Sequence, residues 1–201
     1  MPNARYQYFY KRNLPHYQPL DATFFITFRL YGSLPAIVLK QLQEIRAKVI
    51  NVASEEHNHQ DYVNQNQAFT LIENYLDKSD SGQLWLREVQ IAQLVNDAIH
   101  YRDGKEYGLE AFCIMPNHVH MVIRPLWAGD RYYPLAEILK SLKGYTARMA
   151  NKILGRSGYF WQHESYDHAV RSEQDLMKIV QYVLDNPIKA GLKDHWIYSR
   201  W

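Results

Sequence analysis

The stretch IMPNHVHMVI, residues 114–123, sets His118 and His120 two positions apart in a run that is otherwise apolar. In an extended chain alternate side chains share a face. His118, His120 and Val122 therefore point one way, and Val119, Met121 and Ile123 the other. The second set is core material. The first presents two imidazoles about 7 Å apart along the strand, close enough to converge on one cation. Neutral imidazole ligates Zn, Mn, Fe, Ni or Cu near neutral pH. Two ligands do not close a metal site, so the pattern alone also describes a pair of half-exposed strand histidines.

A third ligand has to come from elsewhere in the chain. In SEQDLMKIVQYVLDNP, residues 172–187, Tyr182 and Asn186 lie four apart and stack on one helix face. Asn186 precedes Pro187, where the helix is expected to stop, and its amide oxygen is a hard ligand suited to Mg2+ or Mn2+. Tyr182 would then stand one turn from the ion, a workable place for a nucleophile directed at a metal-polarised phosphate. The same spacing also describes an ordinary helix aromatic and a C-cap asparagine. Tyr145, in SLKGYTARMAN, is the competing nucleophile. It shares a basic helix with Lys140, Lys143, Arg148 and Lys152, with Arg156 just beyond. Tyr182 is preferred because it alone has the Asn-Pro helix end and a ligand partner.

The elements that must position these residues are readable in outline. ATFFITFRLYGSLP (22–35) is aromatic and β-branched, a strand over about 23–31. AIVLKQLQEIRAKVI follows as an amphipathic helix with Ile37, Leu39, Leu42, Ile45 and Val49 near helical spacing. SEEHNHQDYVNQNQ (54–67) is polar and reads as an exposed loop, with His57 and His59 as surface histidines. Residues 83–101 read as a second helix. LEAFCIM and HVHMVIRP read as a hairpin, and 134–154 as a third helix with Leu135, Ile138, Leu139 and Leu142 on one face. Residues 156–172 read as irregular or short-stranded, and Ser172 caps the last helix. Strands mixed with helices, and no GxGxxG, favour an α+β class.

Composition narrows the partners. With 201 residues, nearly half of them hydrophobic, one domain with a real core is expected; its apolar runs are too short to cross a bilayer. No secretion signal is read at the start, the single cysteine, Cys113, reads as a buried filler, and a soluble cytoplasmic protein is expected. The net charge of +2 conceals basic ends around an acidic middle. Residues 1–30 carry four Lys/Arg against one acidic residue, residues 31–130 eight against thirteen, and residues 131–201 eleven against seven. Such a distribution suits a polyanion held between the ends. Sixteen tyrosines and five tryptophans offer stacking surfaces for unpaired bases.

MPNHVHMVI, followed by YFWQHESYDHAVRSEQDLMKIVQYVLDNPIKAGL, resembles the REP-associated tyrosine transposases. These are relatives of the single-tyrosine, IS200-like insertion-sequence transposases in the HUH (His-hydrophobe-His) nuclease superfamily. NLPHYQPLDATFFITFRLYGSLP and NYLDKSDSGQLWLRE are also similar to the family, so the likeness runs over most of the chain. The resemblance implies a ferredoxin-like antiparallel sheet flanked by helices, with the histidine strand central. It implies a divalent metal, Mg2+ or Mn2+, held by His118, His120 and Asn186, the last at a position where related enzymes carry Gln. It places Tyr182 as nucleophile on single-stranded hairpin DNA, forming a 5′-phosphotyrosine that can be rejoined to another 3′-hydroxyl. Arg5, Arg12 and His16, beside Lys11, would grip the foot of the hairpin, and Lys140, Lys143, Arg148 and Lys152 would contact phosphates. The chain is read as one transposase-like domain over 1–201, with a polar insertion near 54–80 and a basic C-terminal helical region over 131–201. Either a monomer or a homodimer is compatible with it. The alternative is a hairpin nucleic-acid-binding protein that does not cleave.

Overall fold

The computed structural model describes residues 6–11, 15–50, 57–76, 82–192 and 196–201, with side chains for 18–45, 67–76, 82–192 and 196–201. Two strands, β1 (Tyr6–Lys11) and β2 (Pro15–Pro19), form a separate antiparallel hairpin. The main sheet takes β3 (Phe24–Leu30), β4 (Tyr107–Ile114), β5 (His118–Pro125), β6 (Trp161–Ala169) and β7 (Trp196–Ser199). Its order is β6-β3-β5-β4-β7, antiparallel throughout, which puts the histidine strand β5 in the middle as the family resemblance implies. The helices are α1 (Ala36–Ile50), α2 (His57–Leu76), α3 (Val89–Arg102), α4 (Leu135–Ile153) and α5 (Glu173–Lys189). Among the described residues no helix is long and apolar enough to cross a membrane.

The sheet is covered on both faces, which explains why β3 reads FFITFRL rather than as a clean alternation. Phe24, Ile26 and Phe28 pack with Val119, Met121 and Ile123 against α3 and α4. Phe25 and Val122 pack on the other face with α1, α2 and α5. The expected α4 stripe of Leu135, Ile138, Leu139 and Leu142 is buried. Gln18 of β2 ties the small hairpin to the start of this helix by accepting from the Leu135 N–H and donating to the Tyr133 carbonyl. Gly82 has φ +75°, and a Cβ there would lie 2.6 Å from the Gly32 carbonyl oxygen. Only glycine lets the chain before α3 pass so close to the β3–α1 turn.

Four sequence expectations need correction. The segment 54–67 is not a loop throughout, because from His57 onward it is the first half of α2. Among the α2 residues whose side chains are described, Ala68, Ile72 and Leu76 form a buried stripe. Among the described side chains of α1, Val38 and Leu42 are buried, while Ile37 and Leu39 are exposed. The helix expected over 83–101 starts with a 3-10 turn, Trp85–Arg87, and becomes α-helical only at Val89. Of the two readings of 156–172, irregular or short-stranded, the second holds over the nine-residue edge strand β6. Pro187 does not stop α5, which runs on to Lys189. The stop is Gly191, at φ +67°, where the Leu192 N–H reaches the Pro187 carbonyl and the Gly191 N–H that of Ile188. The Ser172 cap is as expected, its hydroxyl accepting from the Asp175 N–H.

Candidate active site

Strand register builds the site. Thr27 of β3 pairs with His120, and Arg29 with His118, so all four side chains rise from the same sheet face. The histidines belong to the face under α2 and α5 and are fully buried. Their rings converge, with Nε2 of His118 2.9 Å from Nε2 of His120. Each ring is held from behind. His118 Nδ1 lies 2.6 Å from Oδ1 of Asn117, which can only accept, so the proton is on Nδ1 and Nε2 keeps its lone pair. His120 Nδ1 lies 2.8 Å from the Thr27 hydroxyl, and Phe25 stacks on the ring. On its other side the Asn186 amide nitrogen stands 3.3 Å from His120 Nε2.

Burial keeps both imidazoles neutral. It lowers the His118 pKa well below the usual histidine value, with a further push from His120, and brings His120 down to about 3. Neutral imidazole is the ligating form.

The carboxylate of Glu73, from α2, completes the cluster. Its Oε2 is 3.2 Å from His120 Nε2 and accepts a hydrogen bond from the Tyr182 hydroxyl. Glu73, His118 and His120 each offer a ligand atom within 4.8 Å of the other two, all buried. Three ligand atoms thus stand together. Two ligand atoms at right angles around an ion at about 2.1 Å would be about 3 Å apart, close to the spacings found. The donor set therefore fits a divalent cation, with the Asn186 amide adjacent. Tyr182 lies edge-on to the His120 ring, with centroids 5.5 Å apart.

His118, His120, Asn186 and Tyr182 are thus brought together, and Glu73 is the member that sequence reasoning missed. A signal was present: Ala68, Ile72 and Leu76 form a stripe at four-residue spacing, and Glu73 adjoins it. Thr27 and Asn117, which orient the rings, were missed as well. Tyr145 is not brought to the cluster. It is half-exposed on α4, which packs on the opposite face of the sheet with Lys140, Lys143, Arg148 and Lys152. Lys143 donates to the His163 carbonyl of β6. Arg5 and Arg12 lie outside the described residues. His16 sits in β2, paired with Tyr10, and its side chain is also outside them. The same holds for the side chains of His57 and His59.

Residues 87–186 match the family model of IS200-like transposases. A curated protein of Haemophilus influenzae, named as a REP-associated tyrosine transposase, is 29% identical over 101 residues. That match covers 44% of this chain and 56% of the relative, so the chain spans just over half of the relative's length. A solved structure of a REP-associated tyrosine transposase bound to a REP hairpin aligns at 17% identity with a TM-score of 0.42, covering 95% of this chain and 75% of that one. His118, His120, Tyr182 and Asn186 fall inside the matched segment; Thr27 and Glu73 precede it.

Proposed function

We propose that this chain, whose residues 87–186 belong to the IS200-like transposase family, is a metal-dependent endonuclease and strand transferase acting on single-stranded DNA folded as a hairpin. Tyr182 is the nucleophile. Its phenol, with an ordinary pKa of about 10, is a weak nucleophile at neutral pH and needs a partner to take its proton. Glu73 Oε2 already receives that hydrogen bond. Attack forms a bond between the tyrosine oxygen and phosphorus and breaks the bond to the 3′-oxygen, which leaves as a hydroxyl. The DNA 5′-phosphate stays on Tyr182. Because the phosphotyrosine retains the energy of the diester, another 3′-hydroxyl can reverse the step, and no ATP is consumed.

His118, His120 and Glu73 would hold Mg2+ or Mn2+, with Asn186 as a further ligand once its amide turns its oxygen inward. When bound, the ion offsets the charge of the phosphate oxygens and orients the phosphorus. Thr27 and Asn117 keep the imidazole Nε2 atoms aimed at that point.

The observation that carries this reading is the shared carboxylate, which joins the tyrosine hydroxyl to the histidine pair. The test uses hairpin DNA labelled at its 3′ end, because the 3′ fragment is the one retained on a 5′-phosphotyrosine. The label should travel with denatured protein when Mn2+ or Mg2+ is present and not in EDTA. DNA binding with no covalent product in either metal would identify a binding module instead.

A further inference from the structure

We infer that a cleft beside the histidines receives one unpaired base of the bound strand, an inference that rests on the proposed action on single-stranded DNA. The cleft, of about 150 Å3, lies between α1, α2 and the sheet edge at β3 and β6. One ordered water needs roughly 10–15 Å3, so the space suits a ring rather than a water or two. It shares a wall with the candidate site. Thr27 lines it and also holds His120 Nδ1, and Ile72 lines it one residue before Glu73.

The lining chemistry matches a base. Leu42 and Ile72 give an apolar wall, while Arg29, Gln43, Gln162 and Glu164 supply donors and acceptors. A nucleobase has the same division, with flat apolar faces and an edge of mixed donors and acceptors. A phosphate fits poorly because Glu164 faces the same space as Arg29. A second metal fits poorly because Glu164 is the one carboxylate among the described lining residues. Arg29 is steadied from outside, its Nη1 donating to the Ser33 hydroxyl at 3.2 Å.

A second observation lies at the same end of the sheet. The rings of Tyr31 and Tyr159 are 5.3 Å apart and are 49% and 72% exposed. They are anchored where the Tyr31 N–H meets the Phe160 carbonyl, just beyond Arg29 and just before Gln162. Exposed aromatics of this kind stack bases. From Thr27 to Tyr31 is about 13 Å of strand. A strand leaving the site would place one base in the cleft and stack a neighbour on the tyrosine pair.

The test uses the Tyr182→Phe chain, which binds without cutting, and hairpin DNA with a single-stranded arm carrying 2-aminopurine at one position at a time. One position should show a distinct fluorescence change on binding, and an abasic site there should weaken binding at least about fivefold. Gln43→Trp, at the exposed mouth, should abolish the signal at that position, and Gln162→Ala should change which base is preferred there. Equal responses at every position, or an unaltered signal in both variants, would overturn the cleft assignment. A covalent product from the unmodified chain without a position-specific signal sinks the cleft alone. A position-specific signal without a covalent product leaves the cleft and sinks the catalytic reading. Failure to bind any strand sinks both.

Discussion

The Tyr182 hydroxyl donates to Glu73 Oε2, and that same oxygen stands 3.2 Å from Nε2 of His120. One carboxylate, from a helix outside the segment matched by the family model, therefore links the candidate nucleophile to the candidate metal ligands.

Glu73→Gln tests that link. The substitution keeps the size and removes the charge, so Mn2+ affinity should fall at least about tenfold and covalent product should be lost. Titration calorimetry with Mn2+ measures the first, and circular dichroism verifies that the helices remain. Unchanged Mn2+ affinity would remove Glu73 from the ligand set.

Thr27→Val keeps the shape of a buried strand residue and deletes the hydroxyl that holds His120 Nδ1. Losing such an outer partner costs about 10–100-fold in metal affinity or activity. Here the loss should appear in Mn2+ titration even without DNA, since the ring is no longer fixed in orientation. Wild-type affinity in this variant would show that the hydroxyl does not position the ligand.

The buried histidines set a pH dependence for the metal-free protein. Burial holds His118 well below its ordinary value and His120 at about 3, whereas both titrate near 6.5 when unfolded. Below pH 6.5 the unfolded chain takes up protons that the fold excludes. Stability should therefore fall as pH drops from 6.5 toward 3, by up to about 1.4 kcal/mol per pH unit for each histidine. His168, lowered mainly by burial, acts in the same direction. Urea midpoints in EDTA between pH 7.5 and 5 measure this, and His120→Gln should flatten the slope. A flat wild-type profile would mean that the rings are not buried neutral in solution.

The parts of the fold that were legible are those with an unambiguous period. The His-x-His strand alternates with Val119, Met121 and Ile123, and α4 repeats its leucines and isoleucine on one face, so both could be read directly. The first half of α2 has no such period, so the sequence does not announce the helix that carries Glu73. β6 mixes Gln162, His163, Glu164 and Asp167 with aromatics because it is an edge strand, and its polar run reads equally as irregular or short-stranded. Pro187 drew attention as a terminator although Gly191, four residues on, carries the left-handed cap. Tyr145 and Tyr182 could be ranked from sequence, but that they lie on opposite faces of the sheet depends on how the helices pack.

The most direct test of the central claim is to map the DNA-bearing residue. The chain is incubated with hairpin single-stranded DNA and Mn2+, the DNA and protein are digested, and the modified peptide is sequenced by mass spectrometry. The 5′-phosphate should be on Tyr182, and Tyr145→Phe should leave the yield unchanged while Tyr182→Phe removes it. Phosphate on Tyr145 or any other residue, or DNA bound with no modified peptide in Mn2+ or Mg2+, would contradict the account.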